Sequence, residues 1–282
     1  MPDSLISKIG IGSAQFGMDY GISNPNGQTS KEEVTKILDI CSACGITYID
    51  TAVVYGNAEE VLGMNDLHDF KVVTKFMYYP EKGIIQKQMN ESLQKLNINK
   101  AYALLAHRPI YLLSNNYHWD ELVHLKEVGK VEKIGFSLNS VDELNQLLDK
   151  KLFPDIIQIP YNYVDNRFES VAIDLKKQGC EIHSRSVFLQ GLFFKKVEEL
   201  EPFFDEIKPI LISIKENAGS LEGALLRYVL TKHFIDVVII GVENAIQLLN
   251  NIHSVKNQEL LPPLNLNISE KIKTPSMWPK HK

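Results

Sequence analysis

The stretch Asp50-Thr-Ala-Val-Val-Tyr-Gly-Asn-Ala-Glu-Glu-Val-Leu-Gly63 decides how the rest of the chain is interpreted. It follows a β-like run at residues 46–49, which delivers Asp50 at its carboxyl end and Tyr55 on a glycine-bearing turn five residues later. In parallel α/β folds, residues just beyond the carboxyl ends of the strands face the ligand. We therefore expect Asp50 and Tyr55 to share one pocket.

Two later strand-like runs also end in side chains that suit proton transfer. The run Lys71-Val-Val-Thr-Lys75 ends in a lysine, and the run Ala101-Tyr-Ala-Leu-Leu-Ala-His107 ends in a histidine. A tyrosine hydroxyl stays protonated at neutral pH and can donate a proton, and a neighbouring ammonium group favours its phenolate form. An aspartate, a tyrosine, a lysine and a histidine at successive strand ends predict a site for proton transfer.

Strand-like and helix-like patterns alternate along the whole chain. Short strands are predicted at residues 9–13, 47–50, 71–75, 102–107, 131–137, 156–160, 181–185 and 237–241. Helical patterns are predicted at residues 31–44, 58–63, 84–96, 119–127, 141–148, 167–177, 221–232 and 245–253. Such alternation predicts a parallel sheet covered by helices, and eight units favour a closed (β/α)8 TIM barrel over an open sheet.

The domain organisation is expected to be simple. No repeat, low-complexity tract or Pro/Gly/Ser-rich linker divides the 282 residues, and a single α/β barrel domain of this length is common. We expect the barrel to span residues 8–258 and residues 259–282 to form a C-terminal surface tail.

Composition and charge narrow the range of functions. The 44% hydrophobic and 23% charged content is that of an ordinary soluble globular protein. A net charge of −5 with scattered Lys and Arg does not favour nucleic-acid binding, and no apolar run approaches the length of a membrane helix. The first residues lack the features of a signal peptide, and three cysteines favour a reducing compartment, so a cytoplasmic location is expected.

These motifs closely resemble those of the aldo-keto reductase family, over roughly nine tenths of the chain. The resemblance implies that Asp50, Tyr55, Lys75 and His107 form the catalytic tetrad of an NAD(P)H-dependent oxidoreductase that reduces an aldehyde or ketone to an alcohol. Tyr55 would donate the proton, and Lys75, held by Asp50, would supply a positive charge. His107 would hydrogen-bond the carbonyl oxygen.

The resemblance also implies a set of cofactor contacts. Ser137 and Gln158 match residues that hold the nicotinamide carboxamide, whereas Leu138 replaces the family's asparagine. At the position of Arg185, many members have a tyrosine that stacks on the nicotinamide. The Arg185 guanidinium could stack on the nicotinamide in the same way, or it could reach a phosphate. Further contacts come from the turn after the first strand and from the loop after the seventh, namely Gly12, Ser13, Ser186, Phe188, Gln190 and Gly191.

The end that would hold the adenosine is the least typical part of the match. Many NADPH-dependent members have Lys or Arg there to pair with the 2′-phosphate, whereas this chain has Gly241, Glu243 and Gln247, followed by Asn251. A phosphate without a basic partner binds less tightly. The family's habit favours NADP(H), these residues weaken the preference, and NADP(H) keeps a slight lead over NAD(H).

Two short motifs invite other interpretations. The segment Gly10-Ile-Gly-Ser-Ala-Gln departs from the G-x-G-x-x-G fingerprint, and a polar loop is expected after it, so a Rossmann site is disfavoured. Cys41 and Cys44 form a C-x-x-C pair at the end of a helical pattern, whereas a redox pair normally lies at a helix start. We interpret this pair as a packing feature and Glu59 as structural.

Other classes of function remain as alternatives. One is a cofactor-binding regulatory or sensor barrel with little turnover, and another is a sugar-phosphate isomerase or aldolase with Lys75 as a Schiff base. A metal site is not expected, because the histidines show no H-x-H or H-E-x-x-H spacing. The polar loop at residues 18–27, Arg108 and the tail would rim the pocket and suit a hydroxylated, sugar-like carbonyl substrate.

Overall fold

A computed structural model describes residues 5–22, 24, 26–114, 117–256, 260–262, 264 and 268–279. Eight parallel strands close into a barrel in sequence order, with the last strand pairing with the first. The strands are β1 Ile9–Gly12, β2 Tyr48–Asp50, β3 Lys71–Phe76, β4 Ala101–Ala106, β5 Val131–Ser137, β6 Ile156–Pro160, β7 Glu181–Arg185 and β8 Val237–Gly241. The predicted (β/α)8 TIM barrel is confirmed, and each strand lies within a residue of its predicted bounds.

Helices follow the strands and cover the barrel. Within the described residues they are α1 Ala14–Gly17, α2 Lys31–Cys44, α3 Ala58–Leu62, α4 Ile84–Leu96, α5 Tyr117–Glu127, α6 Val141–Asp149, α7 Glu169–Lys177, α8 Lys208–Asn217, α9 Leu221–Leu230, α10 Ala245–Val255 and α11 Glu270–Lys273. Short 3-10 segments lie at Ile6–Lys8, Pro109–Ser114, Leu189–Phe194, Val197–Glu199, Pro202–Phe204 and Pro275–Met277. Helices α1, α8 and α11 were not predicted. Helix α1 is a single turn at Ala14–Gly17, where the sequence predicted a loop and no helix.

The helix ends follow local rules. Helix α2 begins after Ser30, whose hydroxyl accepts a hydrogen bond from the Glu33 amide, and it ends at Gly45 in the left-handed conformation. Cys41 is fully buried on its inner face, and burial raises the pKa of this thiol to about 12. A thiol so far from its thiolate form is not a redox nucleophile, which agrees with the packing interpretation of the C-x-x-C pair.

Charged and aromatic side chains fill the amino-terminal end of the barrel. The Glu181 carboxylate lies 2.6 Å from the His183 ring and 2.6 Å from the Tyr102 hydroxyl, and it also contacts Lys133. Burial opposes the ionised form, but these partners outweigh it and lower the pKa of Glu181 to about 2. This end is therefore a packed polar floor, and the ligand side is the opposite end.

Described residues of the predicted tail pack against the barrel. Leu261, Ile268, Ile272 and Trp278 are buried in one cluster with side chains of the long connection between β7 and β8. The Trp278 indole donates a hydrogen bond to the Ile272 carbonyl at 3.0 Å. The boundary expected at residues 258 and 259 lies outside the described residues.

Candidate active site

A pocket of about 840 Å³ opens at the carboxyl end of the barrel. Seven of the eight strands contribute their last residue, or the residue that follows it, to the wall: Gly12, Asp50, His107, Ser137, Pro160, Arg185 and Gly241. Lys75 of β3 lies below this wall and is fully buried. The pocket volume suits a small-molecule ligand, and its place at the strand tips is the one expected of a barrel enzyme.

A buried ion pair forms the floor of the pocket. The Lys75 ammonium lies 2.7 and 2.6 Å from the two Asp50 carboxylate oxygens and donates to the Thr51 carbonyl at 2.9 Å. Gln158 donates a further hydrogen bond to Asp50 at 2.6 Å. Burial alone would lower the pKa of Lys75, but the Asp50 carboxylate opposes this effect and the pKa is raised. Lys75 is therefore a fixed positive charge.

Tyr55 lies beside this charge. The Lys75 Nζ atom is 5.1 Å from the centre of the Tyr55 ring. The turn that carries Tyr55 packs closely on α1, since a Cβ atom on Gly17 would lie 1.8 Å from the Tyr55 carbonyl oxygen and one on Gly56 would lie 2.0 Å from the Gly17 oxygen. Gly56 also has a φ of +55°, which glycine adopts readily. The two glycines thus fix the position of Tyr55.

His107 faces Tyr55 across the pocket. Their ring centres are 5.9 Å apart and the rings are nearly perpendicular, at 88°. The pKa of the His107 imidazole is lowered to about 3, mainly by burial. Positive charges on Lys75, Arg185 and Arg108 contribute to the lowering. The imidazole is therefore neutral at physiological pH, and its buried Nδ1 has no hydrogen-bond partner among the described residues.

Glu59 lies behind this group and contacts other elements. Its carboxylate accepts hydrogen bonds from the hydroxyls of Thr74 on β3 at 2.6 Å and of Ser92 on α4 at 3.1 Å. It is 96% buried, with 4% of its surface exposed, and does not line the pocket. These contacts tie α3 to β3, as the structural interpretation of Glu59 requires.

The loop after β7 forms one wall of the pocket with an unusual backbone. Ser186, Leu189, Gln190 and Gly191 have positive φ angles of 64°, 46°, 51° and 91°. Within the loop, the Leu189 amide donates to the Ser186 carbonyl at 3.0 Å and the Gly191 amide donates to the Phe188 carbonyl at 2.8 Å, so tight turns hold its shape. Phe188 lines the same wall. Gln190 also donates to the Tyr20 hydroxyl at 3.0 Å, so the loops after β7 and β1 meet across the pocket.

Arg185 is held by neutral groups. Its guanidinium lies 2.8 Å from the Leu138 carbonyl oxygen, 2.8 Å from the Asn139 side-chain oxygen and 3.2 Å from the Ser186 hydroxyl. Leu138, which replaces the family's asparagine, is buried, whereas Asn139 lines the pocket. An amide is therefore present at this wall, one position later than the family pattern has it.

The wall beneath β8 contains no basic residue within the described part of the pocket lining. A Cβ atom on Gly241 would lie 2.7 Å from the Gln15 amide, so a glycine at this position leaves room for the Gln15 side chain. The Gln247 side chain accepts a hydrogen bond from the Glu243 backbone amide at 2.7 Å. Behind them, the Glu33 carboxylate accepts from the Ala245 amide at 2.7 Å. Acidic and amide groups thus surround the start of α10.

Three of the predicted cofactor residues do not line the pocket. Gln158 is buried and acts through its hydrogen bond to Asp50. Ser13 is buried, and its hydroxyl has no partner within the described residues. Asn251 lies inside the packing surface of α10 with 3% of its surface exposed.

The structure adds polar pocket residues that the sequence did not indicate, among them Gln15, Asn139, Arg167 and Lys273. Asn139 had a signal in the sequence, since it directly follows the position where an amide was expected. Arg167 lies in the connection after β6, where the Asp165 carboxylate holds its guanidinium. Lys273 had no signal in the sequence, because the packing of the C-terminal segment brings it to the pocket. A rim loop was expected at residues 18–27. Met18, Tyr20 and Gly21 of this loop line the pocket, and residues 23 and 25 are not among the described residues.

Within the described residues, no group of three or more His, Cys, Asp or Glu side chains is arranged to hold a metal ion. A search of the same residues for a helix with the length and apolarity needed to span a membrane finds none.

Comparison with known proteins finds oxidoreductases of one family. The chain is 23% identical over 284 residues to the uncharacterized oxidoreductase YqkF of Bacillus subtilis, covering 90% of this chain and 89% of that protein. Two other relatives are matched over only about half of their own length. These are aldo-keto reductase str7 of Strobilurus tenacellus, 28% identical over 46% of its length, and the NAD/NADP-dependent indole-3-acetaldehyde reductase of Schizosaccharomyces pombe, 27% identical over 57%. The matches cover 51% and 57% of this chain.

The fold is shared with solved structures of low sequence identity. The aldo-keto reductase AKR11C1 from Bacillus halodurans, in its holo form, superposes with a TM-score of 0.71 at 20% identity, over 90% of this chain and 88% of that one. The sequence profile of the Aldo/keto reductase family matches residues 8–264. This chain therefore belongs to the aldo/keto reductase family, an oxidoreductase family whose members act on carbonyl compounds.

Proposed function

We propose that this protein is an NAD(P)H-dependent reductase that converts an aldehyde or ketone to an alcohol, with Tyr55 as the proton donor. The observation that carries the proposal is the buried Lys75–Asp50 pair, 2.6 Å apart, directly beneath a tyrosine and a neutral histidine. Burying an ion pair is costly, and its place in a cleft below titratable groups is typical of a catalytic site.

The side chains support a division of roles. When bound, the nicotinamide cofactor supplies the hydride that reduces the carbonyl carbon. Tyr55 donates a proton to the carbonyl oxygen, and the fixed charge of Lys75 stabilises the phenolate that remains. The neutral His107 donates a hydrogen bond to the same oxygen and orients the substrate. Asp50 holds Lys75, and Gln158 holds Asp50.

His107→Ala should lower kcat/KM for carbonyl reduction by roughly 10²–10³-fold, because the oxygen loses a hydrogen-bond donor. Steady-state kinetics with several aldehydes would measure the loss. Unchanged kinetics across the set would remove His107 from the mechanism.

The pH profile gives a second measurement of the same role. A histidine with an ordinary pKa gains its proton as the pH falls through about 6.5, whereas His107, with a pKa of about 3, stays neutral. The protein is therefore expected to show no loss of kcat/KM from His107 protonation between about pH 5 and pH 8. An inflection near pH 6.5 that disappears in His107→Ala would contradict the neutral role.

We propose that the cofactor is a nicotinamide dinucleotide whose pyrophosphate lies under residues 186–191 and whose adenosine lies near Gly241, Glu243 and Gln247. The family's habit favours NADP(H), but Glu243 lines the pocket and Glu33 occupies the amide of Ala245 at the start of α10. A helix N-terminus that already holds a carboxylate attracts a 2′-phosphate less strongly. We therefore expect only a slight preference for NADP(H) over NAD(H) and weak discrimination between the two cofactors.

Gln247→Arg should tighten NADP(H) binding with little change for NAD(H), since it adds a charged partner for the 2′-phosphate. Fluorescence-quenching titrations with both cofactors would measure the change, with NAD(H) as the internal control. The substitution also removes the bond from Glu243 N to Gln247, so equal weakening of both cofactors would indicate only a disturbed loop. A wild-type preference for NADPH above roughly a hundredfold would show that another basic residue meets the phosphate.

We further propose a small-molecule, sugar-like carbonyl compound as substrate and a cytoplasmic location. Polar side chains at the mouth, including Asn139 and Gln190, support the first. Cys41, Cys44 and Cys180 are free thiols, which supports the second.

Steady-state assays of an aldehyde and ketone panel with NADH and NADPH test the proposed function. Cofactor binding without turnover on any member of the panel would favour the regulatory alternative.

A further inference from the structure

The charges that line the pocket are not balanced. The basic residues of its wall are Arg108, Arg167, Arg185 and Lys273, and the acidic residues are Asp50, Glu143 and Glu243. The electrostatic potential beside Tyr55 and His107 depends on whether the acidic groups neutralise these basic groups.

Each acidic group has partners or lies elsewhere. Asp50 is neutralised by Lys75. Glu143 caps two backbone amides, those of Ile110 at 3.3 Å and Asn139 at 3.1 Å. Glu243 lies beyond β8, beside Gly241. None of the three forms an ion pair with an arginine of the pocket within the described residues.

Two of the basic groups keep an uncompensated charge next to His107. Within the described residues, Arg185 is held only by the neutral groups of Leu138, Asn139 and Ser186. Arg108 directly follows His107, its side chain is exposed, and no hydrogen bond or ion pair of its guanidinium is found within the described chain. Both side chains line the pocket together with Tyr55 and His107. Their positive charges contribute to the lowered pKa of the His107 imidazole.

Arg167 differs from Arg108 in this respect. Its guanidinium lies 2.8 Å from the fully buried Asp165 carboxylate and also contacts Glu270 on α11. These contacts fasten the C-terminal segment to the barrel. Among the arginines of this wall, Arg108 is thus the one whose guanidinium has no acceptor within the described residues and remains available to a ligand.

We propose that Arg108 is a specificity residue that binds an anionic oxygen group of the carbonyl substrate, a carboxylate or a phosphate, beside the reacting carbonyl. The guanidinium presents paired donors that match either group, and Arg185 adds a positive potential at the same wall. This inference rests on the proposed function, because it assigns the substrate class of that same site. The preferred substrate is therefore an aldehyde or ketone that carries an acid group.

The test compares paired carbonyl substrates with and without an anionic group. Meta- and para-carboxybenzaldehyde are each compared with the corresponding carbamoylbenzaldehyde, which has nearly the same shape and no charge. Phosphorylated and unphosphorylated glyceraldehyde form a second pair. The readout is the ratio of kcat/KM for the acid to kcat/KM for its neutral partner, so a general loss of activity cancels.

The wild-type ratio is expected to exceed tenfold for at least one pair. Arg108→Met should reduce this ratio by roughly 10- to 100-fold, the effect of losing a charged hydrogen bond. Arg108→Lys should retain part of it, since the charge stays and the paired donors are lost. Lys87→Met, at an exposed position of α4, makes the same change in net charge and should leave the ratio unchanged. Thermal melts would confirm that the variants fold.

The outcomes separate this inference from the proposed function. An Arg108-dependent preference for the carboxylates or for the phosphorylated aldehyde supports the inference and identifies the group. Equal reduction of acids and neutral partners, or a ratio that Arg108→Met leaves unchanged, overturns the inference and leaves the reductase function standing. Absence of turnover on every carbonyl with both cofactors overturns both.

Discussion

Tyr55→Phe should abolish turnover while leaving cofactor affinity nearly intact. The hydroxyl is the proposed proton donor, and loss of general acid catalysis typically costs ~10²–10⁴-fold in rate. The ring should keep its place, because its edge contact with His107 and its packing against the core do not depend on the hydroxyl. The variant therefore separates the chemical step from binding.

Steady-state kcat on any carbonyl that the wild type reduces, together with a cofactor titration, would measure both effects. A Tyr55→Phe protein that retained more than half of the wild-type kcat would exclude Tyr55 as the proton donor. Equal loss of turnover and cofactor affinity would mean that the substitution disturbs the pocket as a whole.

Lys75→Met should suppress the chemical step by a comparable factor, since it removes the charge beneath Tyr55. The substitution also leaves Asp50 buried without its partner, which typically destabilises a protein by roughly 3–5 kcal/mol. A lower melting temperature is therefore expected together with a lower kcat. Circular dichroism melts and steady-state kinetics would measure the two effects separately.

A double variant distinguishes loss of charge from loss of fold. Asp50→Asn with Lys75→Met removes the stranded carboxylate, so stability should partly recover while kcat stays low. Asp50→Asn alone should be milder in kcat, because the ammonium remains in place but is held less firmly. A harmless Asp50→Asn together with a Lys75→Met that raises only KM would make Lys75 a substrate-binding residue instead.

The barrel was predictable from the sequence because its strands are short, buried and regularly spaced. The run from Val131 to Ser137 and the run from Ile156 to Pro160 have the same bounds in the structure as in the prediction. Their apolar content reflects burial on both faces of a parallel sheet, and Asp50 and His107 mark the strand tips. Periodicity alone therefore fixes the fold class and the end of the barrel at which the site lies.

Helix α8 and the C-terminal segment escaped prediction for different reasons. Helix α8 has a proline at its start and buried Ile210, Leu211 and Ile214 at helical spacing, so its signal was present in the sequence. Helix α11 has only four residues, fewer than an isolated helix needs, and it forms because Ile272 and Trp278 pack on the barrel. Long-range packing of this kind leaves little local pattern in a sequence.

The site was predictable to the extent that its residues occupy strand tips. The Lys75–Asp50 pair could be inferred from such positions, but the shared hydrogen bond from Gln158 could not, because it joins residues 108 positions apart. Asn139 was missed through a shift of one residue. The role of Glu33 depends on how α2 packs against α10, and no local motif marks it.

The measurement that tests the central claim most directly is the transfer of deuterium from a nicotinamide cofactor labelled at its hydride position. The protein would be incubated with labelled NADH or NADPH and a panel of aldehydes and ketones, and the products analysed by mass spectrometry. We predict an alcohol that carries deuterium at the former carbonyl carbon, in proportion to the cofactor consumed, and a rate that falls ~10²–10⁴-fold in Tyr55→Phe. Cofactor binding without deuterium transfer to any carbonyl, or transfer that does not depend on Tyr55, would contradict the account.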